Sequence, residues 1–396
     1  MCGIININQG EMAKAASVYY PNLNGLRAIG ASIVMIGHVD FVKIIWGVSN
    51  VQYFPIFGKI GVALFFSLSG FLITSLLFNE LDSTHTIRLK DFYIRRILRI
   101  WPLYYWVVLL GLLVLNRIPA LKIPGLSDEM YQNMTLAGVV NVMLIIPNFT
   151  HFYIPYSDQR WSIIVEEQFY LIQPALMRIF RKRKVLVVVF CLLACSSEIT
   201  RGIIRVFHLD RHISAGILGA VMEQLKYLGC IAVGCLGSTL IYKRESGLKT
   251  FLFSLPVQWV VLAALVGLSM ASFYVLRDEE GVDLRIYCVL FSIVVVNGAL
   301  NPRNIFRLET PVLNFLGKIS YGIYMYHMMC IGIAFAIVRT VTTNAVVQNI
   351  LLYILSIGLT VLVSWLSFDY FESFFLRLKP RLQALTTRKR PEKAVL

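Results

Sequence analysis

The stretch "NLNGLRAIGASIVMIGHVDF" (Asn22–Phe41) decides how this chain folds. Most of it is apolar or small, and the apolar run continues to residue 46. That is long enough for a helix to cross a bilayer. Within it stand Arg27, His38 and Asp40. An ionisable side chain in hydrocarbon costs a few kcal/mol or more unless it snorkels, pairs or faces a wet cavity. Arg27 and His38 are eleven positions apart, which at 100° per residue is three turns plus about 20°. They therefore share one helix face, about 16 Å apart along the axis. Arg27 falls near one membrane surface and His38 past the middle. An interfacial anchor for Arg27 and an interhelical hydrogen bond for His38 are the bland alternatives. Asp40 lies on a different face and can orient His38 only where the helix loosens.

The rest of the chain repeats this composition. Its 396 residues are 57% hydrophobic and 15% charged, against about 25% charge in an ordinary soluble domain. Apolar windows long enough to span recur near 24–46, 58–78, 100–116, 161–180, 185–203, 216–242, 250–276, 286–300, 311–338 and 347–370. The alternating ten-residue segments of an outer-membrane barrel are not seen. The expectation is an all-α, polytopic integral membrane protein with about ten transmembrane helices. A further window, "MTLAGVVNVMLIIP" (134–147), is too short to span and reads as an interfacial or re-entrant segment.

Charge orients this arrangement. With 134–147 not crossing, the connections 79–99, 178–184, 243–249 and 301–318 and the tail 371–396 carry 23 Lys and Arg; the opposite connections carry 9. The positive-inside rule then places both termini in the cytoplasm. Three segments result: a cytoplasmic stretch 1–20, a membrane domain 21–372 and a basic cytoplasmic tail 373–396. The net charge of +15 reads as this bias and gives no reason to expect nucleic acid. The seven cysteines form neither a CxxC pair nor a Cys/His cluster, so neither a disulfide framework nor a metal site is expected. The first 20 residues lack a basic start and apolar core, so no cleaved signal peptide is expected.

Three further stretches concentrate chemistry. In "LKDFYIRRILRIWPLYY" (Leu89–Tyr105), Arg95, Arg96 and Arg99 group on one side of a helix. Such a cluster suits phosphate, since arginine is always charged and binds anions bidentately; a topogenic basic loop is the alternative. In "DQRWSIIVEEQFYLIQPAL" (Asp158–Leu176), Glu166 and Glu167 sit about six residues into an apolar span. They need a polar cavity or a partner, and they point about 100° apart. In "LGKISYGIYMYHMM" (Leu316–Met329), Ser320, Tyr324 and His327 make a polar stripe that could equally be an interhelical seam. No P-loop, GxGxxG, GxSxG or HExxH is present, which argues against an ATP-driven pump, a serine hydrolase and a metalloprotease.

Together with "GVALFFSLSGFLITSLL" (Gly61–Leu77), these stretches resemble, in order, the sequence blocks of the acyltransferase-3 family of membrane acyltransferases. The similarity runs from about residue 20 to 372. The resemblance implies that His38 is the catalytic base and that Arg27 belongs to the same site. It implies that Arg96 and Arg99 hold an acyl-CoA donor, acetyl-CoA in the first instance, and that Glu166 is a catalytic or supporting residue. Arg95, Glu167, Ser320, Tyr321, Tyr324, His327 and Asp40 are supporting candidates. Ala63 departs from the family, which often has an acidic or polar residue there. Many relatives continue into an extracytoplasmic hydrolase-like domain, which this sequence is expected to lack.

The implied activity is transfer of an acyl group to a hydroxyl of a cell-surface carbohydrate or its lipid-linked precursor, such as O-antigen, lipopolysaccharide, capsule or exopolysaccharide. The expected location is a bacterial inner membrane. Acylation of a small secondary metabolite such as a macrolide is the alternative within the family. A transporter or flippase without chemistry accounts for the intramembrane charges equally well.

Overall fold

In the computed structural model, residues 19–48, 55–122, 140, 156–157, 159–208, 214–272, 283–380 and 382 are described. The helices are α1 (Leu23–Ile45), α2 (Pro55–Thr84), α3 (Leu89–Leu113), α4 (Arg160–Ile179), α5 (Arg183–Ala194), α6 (Ser196–Phe207) and α7 (Ala215–Ile241). They continue as α8 (Gly247–Phe253), α9 (Leu255–Ala271), α10 (Leu284–Leu300), α11 (Pro311–Lys318), α12 (Ser320–Val341), α13 (Ala345–Ser367) and, after a π-turn at Phe368–Glu372, α14 (Ser373–Arg377). No strand occurs among the described residues. This is an all-helical, polytopic membrane protein.

The span count departs from the ten windows of the sequence. Six helices are long and apolar enough to cross a membrane, or up to eight if each bent pair is one span. The pair α5/α6 bends by 59° and the pair α8/α9 by 61°. The second bend has a local cause: Ser254 and Pro256 start a new helix, where proline lacks the N–H that a continuous helix needs. Helix α10 is apolar but has only 17 residues, and α4 carries Arg160, Glu166, Glu167 and Arg178 within its 20. The window 134–147 lies outside the described residues except for Val140.

Helix α2 is the centre of the bundle and packs on α1, α7 and α10. Lipid tails are as apolar as the helices, so association in a membrane relies on close approach of small residues. The α1–α2 seam is of this kind. A β-carbon at Gly61 would stand 2.8 Å from the Gly30 carbonyl oxygen, and one at Gly37 would stand 2.6 Å from the Gly58 nitrogen. The two antiparallel helices are thus locked in register, Gly58 beside residues 37–38 and Gly61 beside Gly30 and Val34.

The N-terminal foot of α1 is tied down separately. Asn22 takes a left-handed conformation (φ 61°). Its side-chain amide donates to the Gly298 carbonyl and accepts from the Leu308 N–H. The Glu309 carboxylate accepts from the Tyr19 hydroxyl and the Asn22 N–H. These donors, Tyr19 first, hold the Glu309 carboxyl below its ordinary pKa.

Gly61→Leu must push two backbones apart and is expected to lower stability by about 1–3 kcal/mol. At Gly267 a β-carbon would meet nothing within 4 Å, so Gly267→Leu is the control and should be neutral. Thermal unfolding of the two purified variants in the same detergent checks this; equal midpoints would contradict the α1–α2 lock.

Candidate active site

The side chains singled out in the sequence fall into two levels of the bundle. The lower level is built from α1, α2, α3 and α4. Arg27 lies within electrostatic range of Arg96, Arg99, Tyr170 and Glu166. The Arg96 guanidinium stands 5.2 Å from the Tyr170 ring centroid and 5.6 Å from that of Phe92, a cation–π setting on both sides. Glu166 accepts from the Ser69 hydroxyl at 2.9 Å and from the Tyr170 hydroxyl at 3.2 Å. Glu167 diverges, as the 100° spacing requires, and accepts from the Trp101 indole N–H at 2.8 Å. Tyr321 closes the level from α12 by donating to the Ile100 carbonyl at 2.8 Å.

The three arginines of "FYIRRILR" separate. Arg95 forms an ion pair with Glu80 at 3.3 Å. Among the described residues, Arg27, Arg96 and Arg99 form no salt bridge, and Arg27 is held only loosely by Asn24 at 3.4 Å. All three are partly buried. Guanidiniums are planar forks of donors, and these three keep theirs without a carboxylate bonded to them.

The upper level is built from α1, α12 and the start of α4. The rings of His38 and His327 lie 4.8 Å apart, centroid to centroid. Each Nδ1 contacts a carbonyl of its own helix, His38 with Val34 at 2.9 Å and His327 with Tyr324 at 2.7 Å. A carbonyl only accepts, so in the neutral ring Nδ1 carries the proton and Nε2 keeps its lone pair. His327 is fully buried, and its Nε2 has no partner among the described residues. The Tyr324 hydroxyl meets Ser162 at 2.6 Å and donates to the Gln159 carbonyl at 3.2 Å, which ties α12 to α4.

Two sequence candidates stand elsewhere. The Asp40 carboxylate bonds Lys43 at 2.7 Å and accepts from the Tyr353 hydroxyl, in a buried cluster joining α1 to α13. It is engaged there, not in orienting His38. Ser320 donates to the Gly317 carbonyl at 2.8 Å and serves the break between α11 and α12. Glu166 stands apart from His38. Its Ser69 partner lies eleven residues from Gly58, which stands against the His38 ring, so Glu166 is about 16 Å below His38. It is grouped with the cations, not with the imidazoles. Tyr170, Ser69 and Trp101 were not singled out by sequence; each pairs with a named charge only through tertiary contact. No group of three or more His, Cys, Asp or Glu that could hold a metal occurs among the described residues.

Residues 20–369 match the family profile described as an acyltransferase domain. The chain belongs to the acyltransferase-3 family. Among curated relatives, the O-acetyltransferase OatA of Staphylococcus aureus (strain COL) is 27% identical over 378 residues, 90% of this chain. A further protein of that strain, named as a candidate O-acetyltransferase, is 26% identical over 376 residues, again 90% of this chain. The chain spans 57% of the length of each of these acyltransferase-3 relatives. No solved structure matches it.

Ser69→Ala removes one of the two donors that satisfy the Glu166 carboxylate inside the bundle. An unsatisfied buried acceptor costs about 1–3 kcal/mol. The thermal midpoint of the purified variant should fall accordingly; an unchanged midpoint would mean that Glu166 is solvated rather than held by α2.

Proposed function

We propose that this protein is a membrane O-acyltransferase that moves an acetyl group from acetyl-CoA to a hydroxyl of a cell-surface carbohydrate or its lipid-linked precursor. The observation that carries the reading is the vertical order of the site. Arg27, Arg96 and Arg99, which form no salt bridge among the described residues, stand at one level; His38 stands about 16 Å from Arg27 along α1, with His327 against its ring from α12. The pantetheine arm of coenzyme A equals about four residues of extended chain, roughly 14 Å. Phosphates held by Arg96 and Arg99 therefore leave the thioester within reach of His38. Curated relatives named O-acetyltransferases support the acetyl group and the oxygen acceptor.

The same reading orients the protein. Counting each bent pair as one span and adding α4 and α10 to the apolar helices gives ten crossings. Both termini then lie in the cytoplasm, where coenzyme A is made, and the membrane is the bacterial inner membrane. On this reading 1–20 is a cytoplasmic stretch, 21–372 the catalytic membrane domain and 373–396 a basic cytoplasmic segment whose first residues pack on α3 and whose remainder is drawn to anionic lipid.

In the reaction, the Val34 carbonyl holds the His38 Nδ1–H and so presents Nε2 as the base. Nε2 takes the proton of the acceptor hydroxyl as its oxygen attacks the thioester carbonyl. The new C–O bond forms, the C–S bond breaks, and the thiolate of coenzyme A leaves with the proton that His38 returns. His327, packed against His38, excludes water and fixes the ring. Glu166 and Glu167, within electrostatic range of Arg96, balance part of the arginine charge from α4.

His38→Ala, inserted normally, should lower acceptor-dependent release of coenzyme A from acetyl-CoA at least ~100-fold, the lower bound for losing a general base. A variant that keeps a tenth of the wild-type rate would remove His38 from that role. Movement of the carbohydrate across vesicles without thiol release would replace the enzyme reading with transport.

A further inference from the structure

The C-terminal end of the described chain plays no part in the chemistry above, yet it is built into the arginine level. After α13 the chain passes through the π-turn at Phe368–Glu372. A π-turn inserts one residue relative to a regular helix, so everything beyond it is rotated by about 100°. Helix α14, which follows, packs against α3, the helix that carries Arg95, Arg96 and Arg99. Glu372, buried at 8% exposure, anchors the turn through the Ser367 hydroxyl at 3.4 Å.

Two residues past α14 stands Lys379. It is half-buried and lies within electrostatic range of Arg95, Arg96 and Arg99. It forms no hydrogen bond or ion pair among the described residues. Lysine has a flexible four-carbon stem and ordinarily carries its ammonium out to water, away from like charge. Here burial first, and then the neighbouring guanidiniums, push the ammonium down to about 8. Arg95 is matched by Glu80, so Arg96, Arg99 and Lys379 converge without a carboxylate bonded to any of them. Glu166 and Glu167 lie within electrostatic range of Arg96, and Glu372 within that of Arg99, but none bonds to either arginine; three cations converging from α3 and from the segment after α14 leave hydrogen-bond donors for an anion.

We propose that Lys379 is a donor-binding residue, a third cation that contacts a phosphate of the nucleotide portion of acyl-CoA opposite Arg96 and Arg99. The inference rests on reading those arginines as the donor site. It also assigns a purpose to the π-turn, which aims the C-terminal segment back at α3. The α13–α14 segment then closes the cytoplasmic mouth of the site over the nucleotide.

Calorimetric titration of the purified full-length protein with coenzyme A tests this, using Lys379→Gln, Lys379→Arg and Arg96→Gln. Lys379→Gln should weaken binding about tenfold, the loss of one charge-assisted hydrogen bond. Lys379→Arg should stay within about threefold of wild type, less than half that free energy. Because the lysine is repelled when no anion is bound, Lys379→Gln should leave the ligand-free thermal midpoint unchanged or raised. Unchanged binding by Lys379→Gln, with Arg96→Gln weakened, overturns the inference and keeps the arginine site. Unchanged binding by both overturns the arginine site and the inference with it. Weaker binding accompanied by a lowered ligand-free midpoint, or no rescue by arginine, makes Lys379 structural and also overturns the proposal.

Discussion

Positive charge held inside a helical bundle without a bonded carboxylate is the constraint on which the rest of this structure turns. Removing a guanidinium from water is costly, and the usual remedy is a paired acid. Arg95 has that remedy in Glu80, whereas Arg27, Arg96 and Arg99 do not. The nearby acids are occupied otherwise, Glu166 by Ser69 and Tyr170, Glu167 by Trp101 and Glu372, beside Arg99, by Ser367. The bundle thus holds the arginines close to carboxylates without letting the pairs close. On the proposed reading, that is how a site keeps capacity for an incoming phosphate while limiting the cost of burial.

A rigid scaffold is needed to keep like charges together. The glycine seam between α1 and α2 sets the height of Arg27 and His38 relative to Ser69, and hence relative to Glu166. Asn22 and Glu309 fix the foot of α1 from the loop after α10. The imidazole level is fixed from the other side, where Tyr324 joins α12 to α4 and His327 meets His38. His38 and Arg27 therefore sit on one stiff helix braced at both ends, with Arg96 and Arg99 set beside its lower end from α3. A transfer reaction needs this, because a thioester delivered on a long arm must meet its base at a set distance.

Much of this was legible in the sequence, for identifiable reasons. Helical class and membrane insertion follow from composition, and the common face of Arg27 and His38 follows from helical periodicity. The divergence of Glu166 and Glu167 follows from the same arithmetic. The bends within 185–203 and 250–276 were missed because hydropathy windows average over a helix restart, although Ser254 and Pro256 marked the second one locally. Proximity in sequence lets Asp40 orient His38 only where α1 loosens, but Lys43 and Tyr353 hold it in space. The height of Glu166 depends on which residue of α2 it faces, and Lys379 reaches the arginines only through a π-turn. Neither is encoded in local pattern.

A structure of the protein with acetyl-CoA bound, determined by electron cryomicroscopy in a lipid nanodisc, tests the central claim most directly. The account predicts phosphates within hydrogen-bond distance of Arg96 and Arg99, and the pantetheine arm running along α1 with its thioester beside His38. A donor whose phosphates lie away from those arginines, or whose thioester ends on the far side of α12 from His38, would contradict it.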